Sequence, residues 1–222
     1  EMNPRRVFIR ADGGGRKGWG HLSRASALAD GLREAGWRVV WLILDSDAAA
    51  ERKLRRRHRV VRLRRELGKG SLPPGFRPGD WLAVDRYGWT DARRAAVRAA
   101  GLRLLCVDDL NPGPLRADLV VNGHLGAEGM RYAGAPSTRF LLGGKYALLR
   151  REFRAAPRAR RFPATARRVL VTFGGSDPKR LTGRACRILK GLPLDLEVTA
   201  VLGPSAPPMG PMRGVSAVRN PA

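Results

Sequence analysis

Arg10-Ala11-Asp12-Gly13-Gly14-Gly15-Arg16-Lys17-Gly18-Trp19-Gly20-His21-Leu22-Ser23-Arg24 is the stretch that decides the fold of this 222-residue chain. It follows the apolar run Val7-Phe8-Ile9 and leads into Leu22, Ala25, Leu28, Ala29 and Leu32, which recur at the spacing of one helix face. Gly36 ends that helix, and Arg38-Val39-Val40-Trp41-Leu42-Ile43-Leu44 reads as a buried strand. Strand, glycine turn, helix and strand are thus in place by Leu44, which predicts parallel pairing with a right-handed crossover. A glycine turn between strand and helix lets backbone N–H groups approach a ligand closely. His21 falls at the helix entrance, where that ligand would sit, and this is the layout of an active site.

Composition bounds the classes of function. The chain is 43% hydrophobic, enough for a core. It lacks the run of about 18 apolar residues that a membrane span requires, and no basic segment followed by an apolar core marks a signal peptide. The two cysteines, Cys106 and Cys186, lie in an apolar strand and a helix and read as small buried hydrophobes in a reducing cytoplasm. The net charge of +24 is mostly arginine, with lysine only at 17, 53, 69, 145, 179 and 190. Nucleic-acid binding is the sharp reading of that charge. The densest run, Arg52-Lys53-Leu54-Arg55-Arg56-Arg57-His58-Arg59 with Arg64-Arg65, has no interleaved aromatics for base stacking. A solvated basic face, with His58 at the surface, is the favoured reading.

Further along, residues 47–57 predict a helix and Val60-Val61-Arg62-Leu63 a short strand. Residues 68–79 form a Pro/Gly-rich loop, and Asp80-Trp81-Leu82-Ala83-Val84-Asp85 a strand ending in an acid. Thr90 is placed to cap a helix over 91–100. Residues 102–107 form a strand running into Asp108-Asp109, and Leu119-Val120-Val121-Asn122 another. Residues just past strand C-termini face the ligand crevice of a parallel sheet; Asp12, Asp85, Tyr87, Asp108, Asp109 and Asn122 all hold such positions. Any one alone reads as a turn or cap residue; their recurrence points to a crevice. The basic, Pro-containing residues 155–168 read as a linker. Val169-Leu170-Val171-Thr172-Phe173, the turn Gly174-Gly175-Ser176-Asp177-Pro178, a helix over 181–189 and a strand over 196–201 make a second α/β unit. No further element is expected after Gly203. The expected organisation is an N-terminal Rossmann-like domain over 1–154, the linker, and a second Rossmann-like domain over 169–222.

Gly13-Gly14-Gly15-Arg16-Lys17-Gly18 formally matches the dinucleotide fingerprint, with Asp45 as the ribose acid. That reading leaves His21 unexplained. From the residues alone, His21 reads equally as a general base or as a helix-entry histidine with a structural hydrogen bond.

The motifs together resemble the PseG/SpsG family of nucleotide-sugar hydrolases. They are Arg10-x-Asp12-Gly13, Gly18-x-Gly20-His21-x-x-Arg24, Val84-Asp85-x-Tyr87-Gly88, Val107-Asp108-Asp109, the run Leu142-Gly143-Gly144-Lys145-Tyr146-Ala147-Leu148-Leu149-Arg150-x-Glu152-Phe153, and Val171-Thr172-Phe173-Gly174-Gly175-Ser176-Asp177-Pro178. The resemblance implies an α/β fold of two Rossmann-like domains in a GT-B-like arrangement, related to the glycosyltransferase MurG. It makes the domain over 1–154 the catalytic one and that over 169–222 a partial UDP-binding one. It implies hydrolysis of UDP-2,4-diacetamido-2,4,6-trideoxy-β-L-altrose to UDP and free sugar, with inversion and with neither metal nor cofactor, in pseudaminic acid synthesis. His21 and Tyr87 become the catalytic residues, His21 as base. Arg10, Asp12, Gly13, Gly18, Gly20, Arg24, Asp85, Asp108, Gly174, Gly175 and Ser176 become the substrate-binding set. The expected partner is the UDP-sugar, with no membrane or nucleic acid and the protein a monomer. A Gly-Ser-Thr and Glu segment that family members place further on is absent before Val218-Arg219-Asn220-Pro221-Ala222, so the C-terminal domain is expected to be incomplete and to bind UDP weakly.

The chemistry suits these residues. An imidazole takes a proton from water as the C1–O bond breaks. The diphosphate leaving group needs electrostatic stabilisation more than a strong acid, which backbone N–H groups of residues 174–176 at a helix start would supply. His124, in the loop after Asn122-Gly123, is left open. A GT-B glycosyltransferase and a basic nucleic-acid-binding module are the alternatives.

Overall fold

The computed structural model describes residues 5–15, 18–111, 113–155 and 163–219, with backbone alone at 154 and 155. It divides into two compact units, Glu1–Asp12 with His21–Arg154, and Gly13–Gly20 with Ala155–Ala222. Half of the expected linker (156–162), the Arg16-Lys17 part of the glycine loop and the terminal Asn220-Pro221-Ala222 lie outside the described residues.

In the first unit the elements are β1 (Arg6–Ala11), α1 (Gly20–Glu34), β2 (Arg38–Ile43), α2 (Ala48–Arg55), β3 (Arg59–Arg62), β4 (Trp81–Asp85), α3 (Asp91–Ala99), β5 (Arg103–Val107), β6 (Leu119–Asn122) and β7 (Arg139–Leu142). The strands form one parallel sheet in the order β3-β2-β1-β4-β5-β6-β7. β1 lies between β2 and β4, so the chain order reverses there, and the crevice beyond the C-terminal ends of β1 and β4 is the topological switch point of a Rossmann-like sheet. Central strands covered on both faces must be apolar throughout. β1 and β2 each bury five consecutive residues, among them Phe8, Ile9, Trp41, Leu42 and Ile43. Phe8, Leu42, Leu82, Val97, Leu104 and Val120 join in one core cluster. Helix α1 closes with Gly36 in the left-handed region (φ +81°), Trp37 N–H donating to Leu32 O (2.9 Å) and Gly36 N–H to Arg33 O (3.0 Å). These bonds satisfy carbonyls that the helix end would otherwise leave free.

The second unit holds β8 (Arg168–Thr172), α4 (Leu181–Lys190), β9 (Glu197–Leu202) and β10 (Val215–Arg219), with a parallel sheet in the order β10-β9-β8. Val171, Cys186, Leu196, Val198 and Ala200 form its core.

Several sequence expectations need correction. β7 and β10 were not anticipated. β7 has only four residues and starts on Arg139, and β10 ends on Arg219 with four of its five residues exposed. The second unit therefore has three strands among its described residues, where two were expected. Asp47 is the cap of α2, accepting from Ala50 N–H at 2.7 Å, and is not inside the helix. Thr90 precedes α3 in the cap position but makes no side-chain cap bond. His58 is not a surface residue. Its side chain is only 2% exposed, its ring lies 5.6 Å from that of Trp41, and this burial lowers its pKa below the ordinary histidine value. Both cysteines are free and buried, as expected.

Candidate functional site

The first turn of α1 begins the site. His21 and Arg24 are three residues apart on α1 and share a face. Asp85, the last residue of β4, is 98% enclosed by neighbours that leave only 2% of it exposed. His21 Nδ1 lies 2.6 Å from Asp85 Oδ1. Arg24 forks onto the same carboxylate, Nε donating to Oδ2 and Nη2 to Oδ1, each at 2.6 Å. Its remaining nitrogen, Nη1, donates to both oxygens of Asp109, beyond β5, at 2.6 and 2.7 Å. One guanidinium therefore ties together the ends of two adjacent strands. Asp109 also accepts from Tyr87 Oη (2.8 Å) and pairs with His124 Nε2 (3.0 Å). The His21 and Tyr87 rings meet edge to face, with centroids 4.8 Å apart.

The electrostatics follow from this geometry. Burial alone would lower the Arg24 pKa, but its bonds to Asp85 and Asp109 outweigh that and keep the guanidinium protonated. Partial burial disfavours the Asp109 carboxylate, yet the hydrogen bonds from Arg24 and Tyr87 outweigh it and hold its pKa below the ordinary value. The same bond to Asp109, followed by partial burial, raises the pKa of the Tyr87 hydroxyl, which remains a donor. Arg24 Nη2 also approaches His21 Nδ1, at 3.2 Å, but the carboxylate at 2.6 Å is the nearer and charged partner and favours the tautomer with the proton on Nδ1 and the lone pair on Nε2. His21 Nε2 makes no hydrogen bond among the described residues, and the ring nitrogen that can accept a proton is left for a ligand.

Of the expected site residues, His21, Arg24, Asp85 and Tyr87 come together. Asp108 does not join them. Its Oδ2 accepts from Leu110 N–H, Asn111 N–H and Tyr132 Oη at 3.2, 2.8 and 2.6 Å, closing its own turn. The adjacent Asp109 takes the position in the cluster, because successive residues past a strand point to opposite sides. Asn122 is fully buried and accepts from His124 N–H through Oδ1 (3.0 Å). At Gly123 a side chain would meet the Ala147 backbone at 2.6 Å, so the loop carrying His124 passes against a second segment that admits only glycine there.

Arg10 and Asp12 are also turned inward. Arg10 is fully buried, donating to Asp12 Oδ2 (2.7 Å) and to both oxygens of Glu66 (2.8 Å each). Arg86 closes a four-membered network on Asp12 (3.0 Å) and Glu66 (3.1 Å). Asp12 Oδ1 accepts from Leu44 N–H, Asp45 N–H and Ser46 Oγ, pinning the turn after β2. Glu66 and Arg86 carried no sequence signal, since each sits in a loop whose path the chain alone does not give. Burial would raise the Asp12 pKa, but Arg10 and the backbone donors outweigh it and hold it at about 2 against 3.8. A carboxyl depressed in the folded state stabilises the fold above its unfolded pKa, and that contribution is lost as pH falls from about 4 towards 2. It amounts to about 2 kcal/mol. Urea unfolding of the wild-type chain from pH 5 to pH 2 is expected to lose about that much more stability than Asp12→Asn loses over the same range. Equal losses would mean that the network does not discriminate the Asp12 charge.

In the second unit, the glycine loop is tight, with Gly14 N–H on Gly18 O at 2.8 Å and Gly14, Gly15 and Gly18 at positive φ. Gly13 is buried and Gly20, the first residue of α1, exposed. The helix begins two residues after Gly18, so the six-residue glycine pattern is not itself the strand–helix turn of a dinucleotide fingerprint. Gly174, Gly175 and Ser176 form a turn after β8, with Gly174 at φ +73° and Ser205 N–H donating to Gly175 O at 2.9 Å. The expectation that this turn opens a helix is corrected. Helix α4 begins at Leu181, and Asp177 already accepts from Leu181 N–H (2.8 Å) and Thr182 N–H (2.9 Å). That helix start is occupied by a carboxylate and is closed to a phosphate. Among the described residues no three His, Cys, Asp or Glu side chains gather as metal ligands, and no helix is long and apolar enough to cross a membrane.

The class defined by these units is α/β with a large parallel Rossmann-like sheet, and its fold is similar to the crystal structure of MurG from Acinetobacter baumannii. The TM-score is 0.53 at 17% identity, over 89% of this chain and 60% of that one, a likeness of fold. In sequence, the chain is 27% identical over 208 residues to the spore coat polysaccharide biosynthesis protein SpsG of Bacillus subtilis, covering 90% of this chain and 60% of that protein. It is also 27% identical over 207 residues to an uncharacterized protein of Methanocaldococcus jannaschii, covering 90% of this chain and 43% of that protein. The chain spans about half the length of the curated relatives it matches. No family model matches it.

Proposed function

We propose that the protein hydrolyses a nucleotide sugar at its anomeric carbon, with UDP-2,4-diacetamido-2,4,6-trideoxy-β-L-altrose as the substrate that the motif set favours. The observation that carries the reading is the 2.6 Å contact between His21 Nδ1 and Asp85, which leaves Nε2 as a proton acceptor at the switch point of the sheet. The likeness to SpsG, a polysaccharide biosynthesis protein, and the MurG-like fold support chemistry on sugar nucleotides. In this reading water gives its proton to His21 Nε2 as its oxygen bonds to C1. The C1–O bond breaks, and its electron pair leaves on the β-phosphate oxygen of UDP. Attack opposite the leaving group inverts the anomeric centre. Tyr87 and Arg24 hold the base and its carboxylate in place. Residues 169–222 are assigned the nucleotide, with backbone groups of Gly174, Gly175 and Ser176 as donors to the diphosphate; Gly13, Gly18 and Gly20 give the loop its close approach. Arg10 and Asp12 act from beneath by fixing the strand ends.

Incubation with the UDP-sugar alone, followed by NMR, is expected to show UDP and the α-anomer as first products. A substrate that stays intact until a sugar or lipid acceptor is added would make the protein a glycosyltransferase. The nucleic-acid reading has less support, because Glu51 binds Arg55 and Arg62, and Asp30 lies 3.5 Å from Arg57, which partly neutralises the basic run.

A further inference from the structure

The opposite end of the same sheet carries a second polar cleft, of about 540 Å³. Its lining comes from segments far apart in the sequence: Arg5 and Arg6 at the start of β1, Trp37 and Arg38 at the start of β2, Arg77 and Asp80 from the loop before β4, Trp81 opening β4 and Arg103 opening β5. Five arginines therefore face one carboxylate, and two of the chain's five tryptophans form walls. Arginine is abundant throughout this protein, but its abundance does not explain convergence from separate strands on one cleft lined by two indoles.

The charges are unequally committed. Asp80 is spent on Arg6, whose Nε donates to it at 2.9 Å, and on the backbone N–H of Arg77 at 2.7 Å. Among the described residues, the side chains of Arg5, Arg38, Arg77 and Arg103 meet no carboxylate and donate to no carbonyl. Arg5 lies over the Trp37 ring (5.7 Å to its centroid) and Arg103 over Trp81 (5.8 Å), so two guanidiniums are steadied by aromatic faces while their N–H edges stay free. The C-termini of α1 and α3 lie at this end of the sheet, and their dipoles favour cations there. Dipoles explain why cations are tolerated at this end. They do not explain why four guanidiniums cluster without using the helix-end carbonyls. Fixed guanidinium forks around a polar cleft are the arrangement that recognises phosphate oxygens bidentately.

We propose that this cleft binds a multivalent phosphate anion, at a site separate from His21 and Asp85. Asp85 and Trp81 are the two ends of β4, about 13 Å apart along the strand. The ligand is a di- or polyphosphate group, either free in solution or presented as a lipid headgroup.

The probe is inorganic pyrophosphate, read through the indole N–H signals of 15N-labelled protein, with Trp37→Phe and Trp81→Phe assigning the two cleft resonances. Pyrophosphate is expected to shift both. In Arg38→Ser/Arg103→Ser the apparent affinity read from those signals is expected to fall by about tenfold or more. Both arginines are exposed at strand starts, and unchanged Trp41 and Trp89 signals report an intact fold. Sedimentation with vesicles of cardiolipin, whose headgroup carries two phosphates, separates the sources. Capture that the double substitution abolishes identifies a lipid phosphate, whereas pyrophosphate shifts without capture identify a free one. The proposal is overturned if pyrophosphate leaves the Trp37 and Trp81 signals unmoved, or moves them equally in the doubly substituted protein.

Discussion

Replacing His21 by alanine is expected to lower turnover of the UDP-sugar by roughly 10³-fold, the range for loss of a positioned general base, while substrate affinity changes by no more than about threefold. The reason is local. Asp85 and Arg24 remain bonded to each other at 2.6 Å without the imidazole, so the strand ends stay where they are. What disappears is the lone pair on Nε2. His21→Gln supplies the control, since an amide keeps a donor towards Asp85 but cannot take up a proton near neutral pH. Both variants should therefore be equally slow, although Gln preserves more of the packing against Tyr87. Turnover within about tenfold of wild type in either variant would remove His21 from the proton transfer and leave it the structural histidine that the sequence alone equally allowed.

How much of this was legible beforehand depends on the range of the interaction. The alternation of apolar runs and glycine turns specified β1, α1, β2, β4 and β5, because central strands buried on both faces must be apolar throughout. It failed at β7 and β10. Those strands are short and carry charged ends, and pairing with neighbours already in place defines them more than their own composition does. At the site, position at or past a strand end picked out Asp85 and Tyr87, which the fold brings together with His21. The same rule could not separate Asp108 from Asp109, since both lie past β5 and only the pleat decides which faces Arg24. Arg10 illustrates the other limit. The family resemblance implies a substrate contact at this residue, yet Glu66 and Arg86, brought in by two loops, enclose it completely. His58, inside a basic run, read as solvated. Its neighbours in sequence are exposed, but its own ring packs against Trp41.

Arg24 carries the other large effect. Among the described residues its guanidinium is the one group that bonds both Asp85 and Asp109, two carboxylates that would otherwise face each other with 2% and 12% of their side chains exposed. An ammonium cannot reproduce three nitrogens spread over two partners, so Arg24→Lys is expected to release one carboxylate and let the His21–Asp85 pair drift. A displacement of about 1 Å in a positioned base costs on the order of 10²-fold in rate. Arg24→Ala goes further, leaving two enclosed negative charges uncompensated, and is expected to cost about 3 kcal/mol of stability. Asp109 is held below its ordinary pKa largely by Arg24. In Arg24→Ala its carboxyl would rise, and the lost stability should return as pH is lowered through that raised value. The double variant Arg24→Ala/Asp109→Asn isolates the cause. With one carboxylate neutralised, the repulsion between the two enclosed acids is removed, so the double variant should be more stable than Arg24→Ala alone, a clear departure from additivity. If instead the two substitutions simply add, Arg24 does not act by compensating the paired carboxylates, and its place between the strand ends is a matter of packing.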